Sequence, residues 1–211
     1  MPDLADRNAR EADLSAKIFA ALGSLRASIE AAKAGRGLTD WGAFTSAVQS
    51  ALSDSLSATF RAAASQLVEI HGEGQTVDDA ATNNAADAFA ATMAAKLAAD
   101  VTANTQSIVN TPNTTMDDLS PWLSKPRADT IAITETTRAI SQGEDYAAAA
   151  IALLLARTVT WTWQTEEDSL VCPICAPLNG KENPGVDQPA HPNCRCTKRY
   201  DFSAPLIRTA A

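Results

Sequence analysis

The sequence predicts a mainly α-helical chain of 211 residues that ends in a small α+β module. Over most of the first 110 positions, apolar residues recur every three or four residues, as on the buried face of a helix. Val159, Trp161 and Trp163 then alternate with threonines, a period of two that is typical of a half-buried strand. All four cysteines and one of the two histidines follow within residues 172–196.

The composition is apolar through alanine, with only 5% aromatic residues, which favours long, closely packed helices. No run of 18 apolar residues is present, so we expect no membrane span. The first residues are polar and do not form a signal peptide, which predicts a cytosolic chain. Residues 1–120 contain eight Lys/Arg against 15 Asp/Glu, an acidic balance that argues against a broad nucleic-acid-binding face there.

Two long helices are predicted first. From Asp13, one apolar stripe runs along the first helix, formed by Leu14, Ile18, Leu22, Leu25 and Ile29. The segment Gly35-Arg36-Gly37 ends it. Thr39 is a candidate N-cap for the second helix, whose apolar face extends from Trp41 to Ile70.

A third helix is predicted from residue 77 or 78 to about Asn110. Its apolar stripe consists mostly of alanine, and small side chains let two backbones approach closely. We therefore expect the second and third helices to pack as a long antiparallel hairpin. Residues 111–126, rich in Pro, Thr and Asp, then form a connector that Trp122 and Leu123 anchor. The boundary falls here, between a helical body (1–120) and a C-terminal module (121–211).

The module is predicted to begin with a helix from Arg127 that pauses near Gly143 and resumes to about Ala156. Glu135 and Arg138 lie three residues apart, where an ion pair on one helical face can brace the module. After the alternating strand, residues 194–202 are expected to return as its antiparallel partner.

The cysteine spacing predicts a metal site. A Cys-x2-Cys turn at Cys172 and Cys175 is followed by His191, Cys194 and Cys196, a spacing typical of small zinc knuckles. Structural Zn²⁺ is the favoured interpretation, since disulfides need an oxidising compartment and a catalytic ion needs an open coordination position. The predicted fold is therefore a long helical hairpin or bundle followed by a small α+β zinc-knuckle module.

Five candidate ligands compete for four positions. Cys172 and Cys175 form one half of the site, and two of His191, Cys194 and Cys196 form the other. In a strand, Cys194 and Cys196 point to the same side, which permits a four-cysteine site. A turn at His191-Pro192 permits three cysteines and one histidine, and we favour this second set.

Arg195, Lys198 and Arg199 form the one basic cluster and lie beside the predicted knuckle. They are candidates for nucleic-acid contact, although three charges more often make an ordinary solvated edge. The alternative function is therefore a zinc-knuckle nucleic-acid-binding module. A third possibility, an enzyme, finds no set of nucleophile, base and orienting group in the chain, so we expect no catalysis and no catalytic residues.

The C-terminal part resembles the Mu F-like phage minor head (head morphogenesis) proteins over residues 127–200. The motifs that carry the resemblance are Ile131-Ala132-x-Thr134-Glu135-x-x-Arg138, Trp161-x-Trp163, Asp168-x3-Cys172-Pro173-x-Cys175, Leu178-x-Gly180 and Pro189-Ala190-His191-Pro192-Asn193-Cys194-Arg195-Cys196.

The resemblance implies a non-enzymatic minor capsid protein of a tailed phage or prophage. Such a protein associates with the portal protein and other head proteins during assembly, and it resides in the host cytoplasm and then in the virion, inside the capsid or at the portal vertex. The resemblance leaves contact with packaged DNA open, and it implies no membrane and no small-molecule substrate. In the module we expect structural zinc and a bracing contact by Glu135, Arg138 and Asp168.

Overall fold

The computed structural model describes residues 4–165 and 171–203. Its secondary structure consists of five α-helices and a two-stranded sheet within the described ranges: α1 (Leu4–Lys33), α2 (Trp41–His71), α3 (Asp79–Val109), α4 (Met116–Leu119), α5 (Lys125–Leu154), β1 (Val159–Gln164) and β2 (Thr197–Phe202). The described residues are 66% helical, so the prediction of a mainly α protein with a small two-stranded sheet near its C-terminal end is confirmed.

Helix α2 lies at the centre and packs against α1, α3 and α5. The predicted stripe of α1 is confirmed, because all five of its Leu and Ile side chains are buried. Burial of each contributes about 1.5–3 kcal/mol. On α3 the buried face is built of alanines at every fourth position, from Ala86 to Ala98, and it packs on α2 as the predicted hairpin.

Helix α1 begins nine residues earlier than the periodicity indicated, at Leu4 rather than Asp13. Its first turns lack the apolar stripe and bury instead two charged residues, Arg7 and Glu11. The N-cap of α2 also differs from the prediction. Asp40, and not Thr39, accepts a hydrogen bond from the backbone N–H of Ala43 at 2.9 Å.

The predicted pause near Gly143 is wrong, since α5 continues unbroken from Lys125 to Leu154. Gly143 faces the backbone of α2, where a Cβ atom would clash with the carbonyl oxygen of Phe60. The glycine therefore permits a close approach of two helices and does not interrupt one.

The connector is ordered and includes α4. Thr115 caps α4 and forms a capping box with Asp118. Leu119 and Leu123 are buried in the main core, whereas Trp122 stays partly exposed beside the guanidinium of Arg127, at 5.5 Å. Of the two predicted anchors, Leu123 is thus the one that enters the core.

The predicted strand pair is confirmed, although β2 begins at Thr197 and not at Cys194, so Cys194 and Cys196 precede the strand. β1 and β2 are antiparallel, with Trp161 opposite Tyr200 and Trp163 opposite Lys198. The ribbon is attached to α5 through Asp145, which accepts hydrogen bonds from the Lys198 ammonium at 2.6 Å and from the Tyr200 hydroxyl at 2.7 Å.

The division into two domains at residue 120 stays a prediction. Helix α5, assigned to the C-terminal module, packs against both α1 and α2 of the helical body. Across residues 4–165 and 171–203, no helix is both long and apolar enough to cross a bilayer.

Candidate metal centre

The Cys-x2-Cys segment forms a tight turn. The backbone N–H groups of Cys175 and Ala176 both donate to the carbonyl of Cys172, at 3.1 and 3.0 Å. The N–H of Cys175 also donates to the Cys172 sulfur at 3.3 Å. A short 3-10 turn over Ala176–Leu178 follows and leads the chain back along β1. The turn directs both sulfurs to the same side, as the two-residue spacer predicted.

The second set of candidates lies on residues 191–196, which we call the metal loop. The N–H of Cys194 donates to the carbonyl of His191 at 3.2 Å, and Asn193 between them has a positive φ of 61°. Asparagine tolerates this left-handed conformation better than most residues. The tight turn brings the backbones of His191 and Cys194 together, and both residues adjoin Cys175.

All five candidates converge. Their ligand atoms form two groups, Cys172–Cys175–His191 and Cys175–Cys194–Cys196, in each of which the atoms lie within 4.8 Å of one another. Cys175 belongs to both groups and is therefore the centre of the cluster. The sulfurs of Cys175 and Cys194 are 3.8 Å apart, and the edge of a tetrahedral zinc–thiolate site with Zn–S of about 2.3 Å is about 3.8 Å.

His191 is oriented as a ligand. Its Nε2 lies 2.9 Å from the Cys172 sulfur and 3.1 Å from the Cys175 sulfur, while Nδ1 lies 2.7 Å from the carbonyl of Pro192. A proton on Nδ1, donated to that carbonyl, leaves the Nε2 lone pair for an ion. Zinc-bound histidines commonly use a backbone carbonyl in this way.

Cys194 and Cys196 are electrostatically coupled. A hydrogen bond from the Cys196 thiol lowers the pKa of Cys194, and backbone hydrogen bonds from Cys196 and Ala190 act in the same direction. The same contact raises the pKa of Cys196. Burial raises the pKa of the Cys175 thiol to about 12. Among Cys175, Cys194 and Cys196, Cys194 is thus the one whose surroundings favour the thiolate.

Apolar side chains lie behind the cluster. Trp163 of β1 is fully buried and packs with Cys175, Cys194 and Cys196, and Leu178, Val186 and Ala190 are partly buried against them. The alternation of β1 produces this contact, since it points Trp163 inward.

The expected bracing pair is present. Arg138 Nε donates to the Glu135 carboxylate at 2.9 Å, and Glu135 is 3% exposed. Burial raises the pKa of Glu135 despite the nearby Arg138 charge. Asp168, the third predicted member, lies outside the described residues. A role of the pair in bracing the metal centre remains a prediction.

Two threonines of α5 make hydrogen bonds to the metal loop. Thr134 belongs to a motif that carried the resemblance, whereas the sequence did not single out Thr137. The Thr137 hydroxyl donates to the carbonyl of Cys194 at 2.6 Å, and the Thr134 hydroxyl accepts from the N–H of Asn193 at 3.0 Å. The spacing of Thr134 and Thr137, three residues apart on one helical face, could have indicated this contact. Threonines are too frequent in this chain for that spacing to be specific.

The basic cluster is not a uniform surface. The Arg195 guanidinium donates to the Glu11 carboxylate at 2.5 Å. Lys198 is buried, paired with Asp145 and placed over the Trp161 ring at 4.7 Å. Arg199 alone of the three is exposed. Two of the three predicted nucleic-acid contacts are therefore engaged within the chain, and such contact remains a prediction.

The fold and the site together define a class: a helical bundle protein that carries a small Cys/His-centred α+β module. The chain belongs to the family described as Phage Mu protein F like protein, whose model matches residues 47–199. The match includes most of α2 and all of α3, and it thus begins 80 residues before the segment that carried the resemblance. No curated protein and no solved structure gives a significant match. Membership in the family points to phage head morphogenesis.

Proposed function

We propose that this chain is a non-enzymatic minor head protein of a tailed phage or prophage, which enters the head during assembly at the portal vertex. The observation that carries the proposal is the family match over residues 47–199. The portal protein and other head proteins are its proposed partners, and the virion is its proposed final location.

We further propose that the module contains structural zinc bound by Cys172, Cys175, His191 and Cys194. Support comes from three distances: His191 Nε2 lies 2.9 Å from the Cys172 sulfur and 3.1 Å from the Cys175 sulfur, and the sulfurs of Cys175 and Cys194 are 3.8 Å apart. Cys175 thus connects the group that contains His191 with the group that contains Cys194, and the ion would draw Cys194 towards the first group. Thiolate and imidazole are the ligands that Zn²⁺ prefers in structural sites. The two sulfur–nitrogen distances are shorter than the edge of about 3.5 Å in a zinc tetrahedron, so the ion would push His191 outward by about half an ångström.

Cys196 is the proposed spare. The Cys194 sulfur lies 3.8 Å from that of Cys175, and Cys196 would act beside it as a hydrogen-bond donor that lowers the pKa of the Cys194 thiol. Such donors hold a zinc-bound thiolate in place and moderate its charge. This assignment separates the three-cysteine, one-histidine site from the four-cysteine alternative.

The zinc assignment is tested by elemental analysis of the protein purified under reducing conditions. We expect one zinc per chain in the wild type and in Cys196→Ser, and loss of zinc in Cys194→Ser. Less than about 0.2 zinc per chain in the wild type rules the structural ion out. Zinc retained in Cys194→Ser but lost in Cys196→Ser reverses the ligand assignment.

The assembly role is tested in a lysogen that encodes the chain. A stop codon early in the reading frame should leave capsid protein expression unchanged but reduce infectious particles by orders of magnitude. Cross-linking in wild-type heads should connect the chain to the portal protein. Normal yields of infectious particles, or cross-links confined to tail proteins, contradict the proposal.

A further inference from the structure

The first turns of α1 contact the metal loop, although they lie far from it in sequence and outside the family match. Arg7 is 3% exposed, and two of its guanidinium nitrogens donate outside α1. Nη1 donates to the carbonyl of Arg195 at 2.8 Å, and Nη2 donates to the hydroxyl of Thr137 at 2.7 Å. Hydrogen bonds from a charged donor are about twice as strong as those between neutral groups.

Thr137 transmits the contact. Its hydroxyl accepts from Arg7, and the carbonyl of Cys194, at 2.6 Å, is a closer acceptor for its proton than the carbonyl of Ile133 in its own helix, at 3.0 Å. The carbonyls of residues 194 and 195 are therefore held by side chains of two different helices, α5 and α1. The position of the Cys194 backbone, and with it that of the sulfur, depends on both helices.

Glu11 completes the arrangement. Its buried carboxylate accepts from Arg7 Nε at 3.1 Å with one oxygen and from the Arg195 guanidinium at 2.5 Å with the other. The side chain of the loop residue and its carbonyl thus both contact the same turn of α1. Loss of Arg7 leaves the buried Glu11 carboxylate with one charged partner fewer, which destabilises the contact between α1 and the metal loop.

We propose that Arg7, Glu11 and Thr137 form a clamp that holds the metal loop, so that opening of the loop and release of the first turns of α1 occur together. Coupling of this kind is reciprocal. Loss of the ion loosens residues 4–15, and loss of the clamp weakens metal binding. The N-terminal segment thereby becomes a conformational element controlled by the metal centre. The coupling between the ion and the N-terminal segment rests on the proposed zinc site, whereas the clamp itself does not.

Hydrogen exchange of the full-length protein tests the first direction of the coupling. Zinc-loaded and chelator-treated samples are compared peptide by peptide. We expect exchange to increase at least about fivefold in residues 4–15 after chelation, and to stay nearly constant in residues 16–33, which the apolar core holds. Increased exchange in residues 171–196 with no change in residues 4–15 overturns the proposal.

A pair of arginine variants tests the second direction. Arg7→Ala removes the clamp, whereas Arg10→Ala removes the same charge from the same helix at an exposed ion pair with Asp6. In a competition titration with a chromogenic chelator, we expect zinc affinity to fall about tenfold in Arg7→Ala and to remain within about twofold in Arg10→Ala. Thr137→Val should resemble Arg7→Ala. Equal affinities in all three variants contradict the clamp.

Thiol labelling separates the clamp from the zinc assignment. In zinc-free protein, Cys194 should react faster in Arg7→Ala than in Arg10→Ala, because the loop opens more often without its two carbonyl contacts. Equal labelling rates refute the clamp whether or not zinc binds. Faster labelling in a protein that never binds zinc retains the clamp and removes only the metal centre.

Discussion

The helical core and the C-terminal module are stabilised by different means, although they pack together. In the core, α1, α2 and α3 align stripes of Leu, Ile, Phe and Ala into one large cluster. In the module, the cluster behind the metal centre consists of Trp163 and three cysteines, with few aliphatic side chains. A unit this small buries too little apolar surface to be stable alone. The core can therefore lose one contact and remain folded, whereas the module depends on a few contacts with the metal centre.

The largest expected effect is at the metal centre. Cys172→Ser should abolish zinc binding and unfold residues 159–165 and 171–203, because zinc coordination contributes on the order of 10 kcal/mol to folding. Residues 16–33 of α1 and all of α2 and α3 should stay helical. Circular dichroism and hydrogen exchange measure the two regions separately. A uniform loss of helicity would show that the two regions form one cooperative unit, and it would end the comparison in its present form.

Truncation of one buried side chain in the helical core should cause a moderate loss of stability. Leu52→Ala on α2 removes a fully buried side chain from the main cluster and should lower the free energy of unfolding by about 2–5 kcal/mol. Leu38→Ala is the matched control, since Leu38 is 94% exposed and its truncation should change little. Chemical denaturation measures both variants. Equal effects of the two truncations would contradict the packing described for α2.

The contact between the two regions should depend on pH through Glu144 of α5. Burial raises the pKa of Glu144 to about 8, from 4.5 for the model compound, and one carboxyl oxygen has no hydrogen-bond partner. Between these values the folded chain retains a proton that the unfolded chain has lost, so stability should fall as pH rises from about 4.5 to 8.

Glu144→Gln should remove this dependence and stabilise the protein by a few kcal/mol at pH 8, with little effect at pH 4. Thermal denaturation at several pH values measures it, with the exposed acid variant Asp100→Asn as control. A wild-type stability that rises between pH 5 and 8, and that Glu144→Gln leaves unchanged, would contradict the buried neutral carboxyl.

The smallest expected effect concerns the contact of α5 with α2. Gly143→Ala places a methyl group against the carbonyl of Phe60 and should cost about 1–3 kcal/mol, although alanine favours helix by about 1 kcal/mol in isolation. Gly23→Ala in α1 is the control, because a Cβ there meets nothing within 4 Å. It should be neutral or slightly stabilising in a melting experiment. Stabilisation by both substitutions would show that the helices separate readily at Gly143.

The local patterns of the sequence predicted most elements correctly. The stripe from Leu14 to Ile29, the alternation around Trp163 and the spacing of the cysteines each depend on neighbouring residues only, so periodicity and spacing reveal them. The family resemblance rested on residues 127–200 and was confirmed, although the family match extends further towards the N-terminus. The predicted pause at Gly143 failed because a helix-disfavouring glycine is stabilised there by a tertiary contact, which outweighs local propensity.

The sequence by itself thus determined the helices, the strand pair and the set of five candidate ligands. Only the tertiary structure decided how they meet: which sulfurs adjoin His191, that Cys175 lies next to Cys194, and that Arg7 reaches a loop 188 residues away in the chain. The physical reason is that hydrogen bonds and metal coordination depend on direction as well as distance. A hydrogen bond requires two groups within about 3 Å at a suitable angle, and residues so far apart in sequence acquire that geometry only when α1 and α5 pack side by side.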